Sequence, residues 1–260
     1  MAESALRFER ASQNLWLRRI SPSPHASVHL VCFPYAGAGA SSYYPWVRIL
    51  PSQIGLYAVQ LPGREDRISE RPVREVPIII NALIDALSDL AGVPFVFFGH
   101  SMGALLAFEV ARELRNRALK QPAHLFVSGR QAPSTPFSGN PLYMLPDGAF
   151  LEECVRRYQG IPQAILNEPE LMSLLLPVLR ADMEMIENYR HKPQAPLHIP
   201  ITALYGREDR TLKILDVQAW AQETSDRFSY AELPGGHFFL QTARSQVVEI
   251  IDRIISTTYS

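Results

Sequence analysis

Apolar positions along the chain follow two spacings. Short apolar runs bounded by Pro, Gly or charged residues read as strands buried on both faces. They fall at Val28 to Phe33, Ile54 to Leu61, Pro94 to Gly99, His124 to Ser128, Ile201 to Tyr205 and Phe228 to Leu233. Leu15 to Ile20 predicts a further edge strand before the Ser-Pro-Ser-Pro loop. Between the runs the spacing changes to that of a helix. Ile80, Leu83, Ile84, Leu87 and Leu90 share one face of a predicted helix from Val76 to Ala91. Met102, Leu106, Val110, Leu114 and Ala118 share another, and Val247, Ile250, Ile251, Ile254 and Ile255 close the chain. Strands alternating with helices predict the α/β class, with a mostly parallel central sheet covered by helices on both faces. Ligands bind such sheets at the carboxyl ends of the strands.

One stretch breaks the alternation. Residues 136–196 separate two strands without supplying a third, so they predict a helical lid inserted into a single domain spanning 1–260. Asp147 to Tyr158 and Pro169 to Tyr189 are helical in pattern, the second expected to kink or break near Pro177. Leu171, Leu174, Leu175, Val178 and Leu179, continued by Met183 and Ile186, form a broad apolar stripe. Packing of the lid on the body accounts for most of that stripe, and Leu175, Leu179 and Met183 are the candidates to line an apolar acyl channel.

Composition narrows the class without choosing the chemistry. A net charge of -1 proposes neither nucleic acid nor an anionic membrane as partner. The two cysteines, Cys32 and Cys154, lie far apart with no metal-ligand spacing, so no metal is expected and the thiols read as reduced. Met1 to Arg7 lacks the apolar stretch of a signal peptide, and no run of 18 apolar residues occurs. The expectation is a cytoplasmic protein.

The chemistry centres on Gly99-His100-Ser101-Met102-Gly103. G-x-S-x-G arises by chance in roughly one chain in ten of this length. Here it joins an apolar strand to an amphipathic helix, the setting in which a serine hydroxyl is held exposed at a sharp turn. A serine at neutral pH needs an imidazole to take its proton and a carboxylate to orient that imidazole. His237 follows the last strand on a Pro-Gly-Gly loop, and His100, beside the serine, is expected to point elsewhere. Chain order Ser, acid, His selects Asp209 on the loop after Ile201 to Gly206. Glu208 is the nearest rival, Asp182 and Asp216 are weaker ones, and Asp66 precedes the serine. Oxyanion donors are expected from the backbone N–H of Met102 and of Ala36, with Tyr35 as the alternative to Ala36.

These residues sit in segments that resemble the type II thioesterases, the stand-alone editing hydrolases of nonribosomal peptide and polyketide synthesis. Phe33-Pro34-Tyr35-Ala36-Gly37, Trp46, Gln60-Leu61-Pro62-Gly63-Arg64 and the serine turn are similar to the family's motifs. So are Leu179-Arg180-Ala181-Asp182, Tyr205-Gly206-Arg207-Glu208-Asp209 and Pro234-Gly235-Gly236-His237-Phe238. Ala38 departs from the pattern, standing where the family usually has a second glycine; it would be strained if that position were left-handed. The resemblance implies an α/β-hydrolase fold and, as substrate, acyl groups on the phosphopantetheine arm of an acyl or peptidyl carrier protein domain. It implies no cofactor of the chain's own. A general carboxylesterase, a short- or medium-chain acyl thioesterase, a chain-terminating cyclase and a catalytically silent hydrolase fold are the alternatives. Arg64, Arg67, Arg71 and Arg74 suggest a basic patch for an acidic carrier, although solvated surface charge explains them more simply.

Overall fold

The computed structural model describes residues 14–259 apart from 22, 91, 136–139 and 161–165. The first residues of the chain, Ala91 and the Pro136 boundary of the predicted lid lie outside that set. Seven strands form one sheet in the order β1-β3-β2-β4-β5-β6-β7. They are β1 (Leu17–Arg19), β2 (Val28–Phe33), β3 (Ile54–Val59), β4 (Phe95–His100), β5 (Leu125–Ser128), β6 (Ile201–Gly206) and β7 (Phe228–Leu233). Only β1 runs antiparallel, pairing Leu17 with Val59 at the sheet edge. Every expected strand is present, within one or two residues at each end.

The helices are α1 (Val76–Leu87), α2 (Met102–Asn116), α3 (Asp147–Tyr158), α4 (Pro169–Asn188), α5 (Ile214–Gln218), α6 (Phe239–Thr242) and α7 (Arg244–Tyr259). A 3-10 turn, Ser88–Leu90, follows α1 and completes the predicted helix in a tighter form. Two apolar layers sandwich the sheet. Odd positions of β2 such as Val31 and Phe33 face α1 and α2, while Leu30 and Cys32 face α7 and the 3-10 segment Ala40–Arg48. Helices on both faces leave the central strands β2 to β6 largely without a polar side, which is why those runs are mostly apolar, whereas the edge strand β7 is not buried on both faces and exposes Ser229, Tyr230 and Glu232.

Chain order decides where a ligand fits. From β2 the chain moves outward to β3, then crosses back to β4 on the other side of β2. The loops after β2 and β4 therefore diverge, and a crevice opens between them at the carboxyl edge. The first carries Tyr35 to Gly39 and the second carries Ser101. Among its described residues, the segment between β5 and β6 supplies α3 and α4 and no strand of the sheet. Helix α4 runs as one helix through Pro177 from Pro169 to Asn188, so of the two expected outcomes, a kink or a break, the break does not occur. Its neighbours on the buried face, Val178, Leu179, Ala181 and Met183, hold the helix by tertiary packing.

Candidate active site

Ser101 is held in a strained turn. Its backbone lies at φ 53, ψ -114, outside the regions open to most residues. The strand folds back so tightly on α2 that a Cβ at Gly99 would collide with the Gly103 carbonyl, and one at Gly103 with the Phe33 carbonyl. Bare glycine at both positions is what lets β4 turn directly into the helix. Ser101 is tied to the neighbouring strand by its N–H, which donates to the Ser128 carbonyl at 2.7 Å.

His237 reaches the serine from the loop after β7. Its Nε2 lies 3.0 Å from the Ser101 Oγ, and its Nδ1 lies 2.8 Å from the Asp209 Oδ2. With the carboxylate accepting at Nδ1–H, Nε2 is left bare to accept the serine proton. The other Asp209 oxygen accepts from the Thr211 N–H at 2.9 Å and from its hydroxyl at 2.6 Å. Burial pushes the Asp209 carboxyl up, but the His237 bond and charge and the Thr211 donors outweigh it and hold the group below its ordinary 3.8. The Asp209 side chain is fully buried and the His237 side chain nearly so, which shields the carboxylate and the imidazole ring from water.

The sequence-expected set is thus brought together, and its rivals are elsewhere. Glu208 is exposed. Asp66 pairs with Arg18, and Asp216 accepts from the Lys213 N–H at the start of α5. Asp182 is buried against Arg64. His100 faces away from the serine and bonds the Ser128 hydroxyl through Nδ1 at 2.9 Å. Desolvation, reinforced by the nearby His237, lowers its pKa well below the ordinary histidine value against the opposing pull of Asp209.

Met102 is the first residue of α2, so its N–H has no acceptor within the helix. Across the crevice, the Ala38 N–H donates to the Tyr35 carbonyl at 3.1 Å and Gly37 has φ 79. That is the arrangement of a type II turn, with Ala36 at its first corner and its N–H outside the turn's own bond. The left-handed position is Gly37, not Ala38, and the alanine departure from the family pattern carries no backbone strain.

Ser101 and His237 open on a cavity of about 450 Å³, within the range of small-molecule sites. Leu175, Leu179 and Met183 line it, as do the other four positions of the α4 stripe. The stripe therefore does more than seal the insertion to the body. Ala36, Gly37 and Tyr158 line it too, with Gly37 set directly against Leu175 and Leu179. Tyr158, whose ring centroid is 5.0 Å from that of His237, was not singled out from the sequence. Nothing in its helical spacing marks it. Thr211 could have been found, because a threonine two residues after an aspartate is a common local cap of the carboxylate.

The four arginines do not form a patch. Arg64 and Arg67 are 4% and 5% exposed, so neither basic docking nor solvated charge describes them. Arg67 stacks on Trp16 at 4.5 Å and donates to the Gln60 carbonyl, while Arg74 pairs with Glu184. Among the described residues no group of three or more His, Cys, Asp or Glu side chains is placed to hold a metal ion. No helix there is long and apolar enough to cross a membrane.

Comparison with known proteins puts this geometry in context. A family model described as a thioesterase domain matches residues 28–256. Gramicidin S biosynthesis protein GrsT of Aneurinibacillus migulanus is 39% identical over 238 residues, covering 92% of this chain and 93% of its own. The structure of the type II thioesterase BorB from the borrelidin biosynthetic cluster superposes with a TM-score of 0.84 at 34% identity, over 92% of this chain and 97% of its own. YbtT, the type II thioesterase from the Yersiniabactin NRPS/PKS biosynthetic pathway, matches with a TM-score of 0.84 at 30% identity, over 94% and 100%. An α/β-hydrolase sheet, a serine turn at its switch point and relatives matched over nearly their whole length agree: the chain belongs to the thioesterase domain family, among the type II thioesterases.

Proposed function

We propose that Ser101, His237 and Asp209 form a Ser-His-Asp triad that removes stalled or aberrant acyl and aminoacyl groups from phosphopantetheinylated carrier protein domains. The hydrogen-bonded line from Asp209 through His237 to Ser101, opening on an apolar cavity, carries this reading. The Ser101 Oγ adds to the thioester carbonyl as its proton passes to His237 Nε2. The N–H groups of Met102 and Ala36 stabilise the oxyanion. On collapse the C–S bond breaks, and the carrier thiol leaves with the proton from His237. Water then attacks the acyl-serine, His237 again takes and returns the proton, and the carboxylic acid departs. No step calls on a metal or a dissociable cofactor.

The substrate class is supported by the relatives, whose names place them in peptide and polyketide biosynthesis. The segment 136–196 acts as the lid, and Leu175, Leu179 and Met183 contact the acyl chain. Carrier domains engage transiently. The free, buried thiols of Cys32 and Cys154 support a reducing, cytoplasmic setting. A panel of one carrier protein loaded with acyl chains of increasing length tests the proposal. Wild type should release the short chains and Ser101→Ala none; release by Ser101→Ala, or equal rates on simple oxygen esters, would overturn it.

A further inference from the structure

Among the described residues, the carboxylate of Asp182 is the most completely enclosed charge outside the proposed triad. It sits on α4, 0% exposed, in the same face as the apolar stripe that lines the cavity. A charge so placed is stable only when its partners are fixed. Three are present. Arg64 donates from Nη1 to Oδ2 at 2.7 Å and from Nη2 to Oδ1 at 2.8 Å, the paired geometry that makes such contacts directional. The third donor is the backbone N–H of Gly37, 2.8 Å from Oδ2.

Gly37 is the second corner of the turn whose first corner is Ala36. Type I and type II turns differ by rotation of the peptide between the corners, and glycine at the second corner permits both. That peptide joins Ala36 to Gly37. In the observed orientation its N–H faces Asp182. After rotation the Ala36 carbonyl would face the carboxylate instead, oxygen against oxygen. Arg64 also donates to the Ala38 carbonyl at 3.1 Å, and Gln60 accepts from the Ala40 N–H at 2.7 Å while donating to the Arg64 carbonyl at 2.9 Å. The loop is thus clamped at Gly37, Ala38 and Ala40, immediately after Ala36, and the first of these holds belongs to the inserted helix.

We propose that Asp182 is a positioning residue: seated by Arg64, its carboxylate fixes the Ala36–Gly37 peptide, so the oxyanion loop is set only when α4 is docked. This rests on the proposed role of Ala36 as an oxyanion donor and adds a link between the insertion and the chemistry. Asp182 touches no reacting atom. Its loss lowers the rate through the backbone it holds, and a displacement of about 1 Å there is enough to cost on the order of 10²-fold.

The test uses full-length protein with three variants: the near-isosteric Asp182→Asn, Asp182→Leu, and Asp182→Leu combined with Arg64→Met. The last removes both charges together and restores stability lost in Asp182→Leu without restoring an acceptor for the Gly37 N–H. Thermal melts establish that each variant is folded at the assay temperature. For the double variant the expected result is a kcat about 10- to 100-fold below wild type on an acyl N-acetylcysteamine thioester, with KM within about twofold. Affinity for an alkylboronic acid, which forms a tetrahedral adduct on Ser101, should fall by the same factor as kcat/KM. Recovery of wild-type kcat along with stability would overturn the inference, and so would a fall in kcat with boronate affinity unchanged. Boronate binding needs no carrier protein. A wild type that binds boronate but ignores loaded carriers would defeat the substrate reading alone.

Discussion

The sequence Gly-Arg-Glu-Asp-Arg occurs twice, at residues 63–67 and 206–210, and the two copies bury opposite letters. In the first copy both arginines are inside while Glu65 and Asp66 face solvent. In the second Asp209 is inside while Arg207, Glu208 and Arg210 face solvent. Each follows a parallel strand at the same edge of the sheet, β3 in one case and β6 in the other. What differs is the partner across the gap. The loop after β3 meets a carboxylate from α4, and the loop after β6 meets an imidazole from the loop after β7. The charge that goes inside is the one whose complement is already there, because a lone buried ion is expensive and a paired one is tolerable.

Substituting matched letters in the two copies tests that account. The largest expected difference lies at the aspartates. Asp209→Asn should lower kcat by about 10⁴-fold, as expected when an imidazole loses its orienting carboxylate. Asp66→Asn should leave kcat unchanged in the same thioester assay. Comparable losses at both positions would mean that the copies are not distinguished by their partners. At the first arginine the effect passes to stability. Arg64→Ala strands the Asp182 carboxylate and should cost about 3–5 kcal/mol in urea unfolding. Arg207, whose pairing with Glu232 is exposed to water, should leave the unfolding midpoint where it is when changed to alanine.

The last arginine gives a smaller difference. Arg67→Met keeps bulk over Trp16 but loses the bonds to the Gln60 carbonyl and to Glu70, and should cost about 1–3 kcal/mol. Arg210→Met should be silent in the same measurement. The smallest effect is one of pH. Asp209 is ionised more readily in the folded protein than in the unfolded chain, whose carboxyl takes its proton near 3.8. Above that value the carboxylate contributes its full stability, and the contribution is lost as pH falls below 3.8 through the lower folded value. Urea midpoints followed below pH 4 should therefore fall less steeply for Asp209→Asn than for wild type.

How far the chain could be read before its structure follows the same logic. Strands such as Phe95–His100 were legible because burial on both faces leaves an unbroken apolar run, and Ser101 because the turn needs glycine on either side. His237 and Asp209 were legible because parallel topology brings loops from distant strands to one edge. The roles of Arg64 and Asp182 were not. Asp182 falls within an apolar helical stripe, a sign that a partner must exist, but the partner is 118 positions away and no local spacing identifies it. Whether α4 would kink or break at Pro177 was not legible either, for a related reason. A proline weakens a helix locally, while the packing that retains it comes from elsewhere in the fold.

The backbone of Ser101 has one more consequence. At φ 53 the position suits glycine better than any residue with a side chain, and conformations of this kind typically cost about 1–3 kcal/mol. The protein at rest thus holds strain in the backbone of the residue proposed as the nucleophile. Ser101→Gly should unfold at a higher temperature than wild type and hydrolyse nothing.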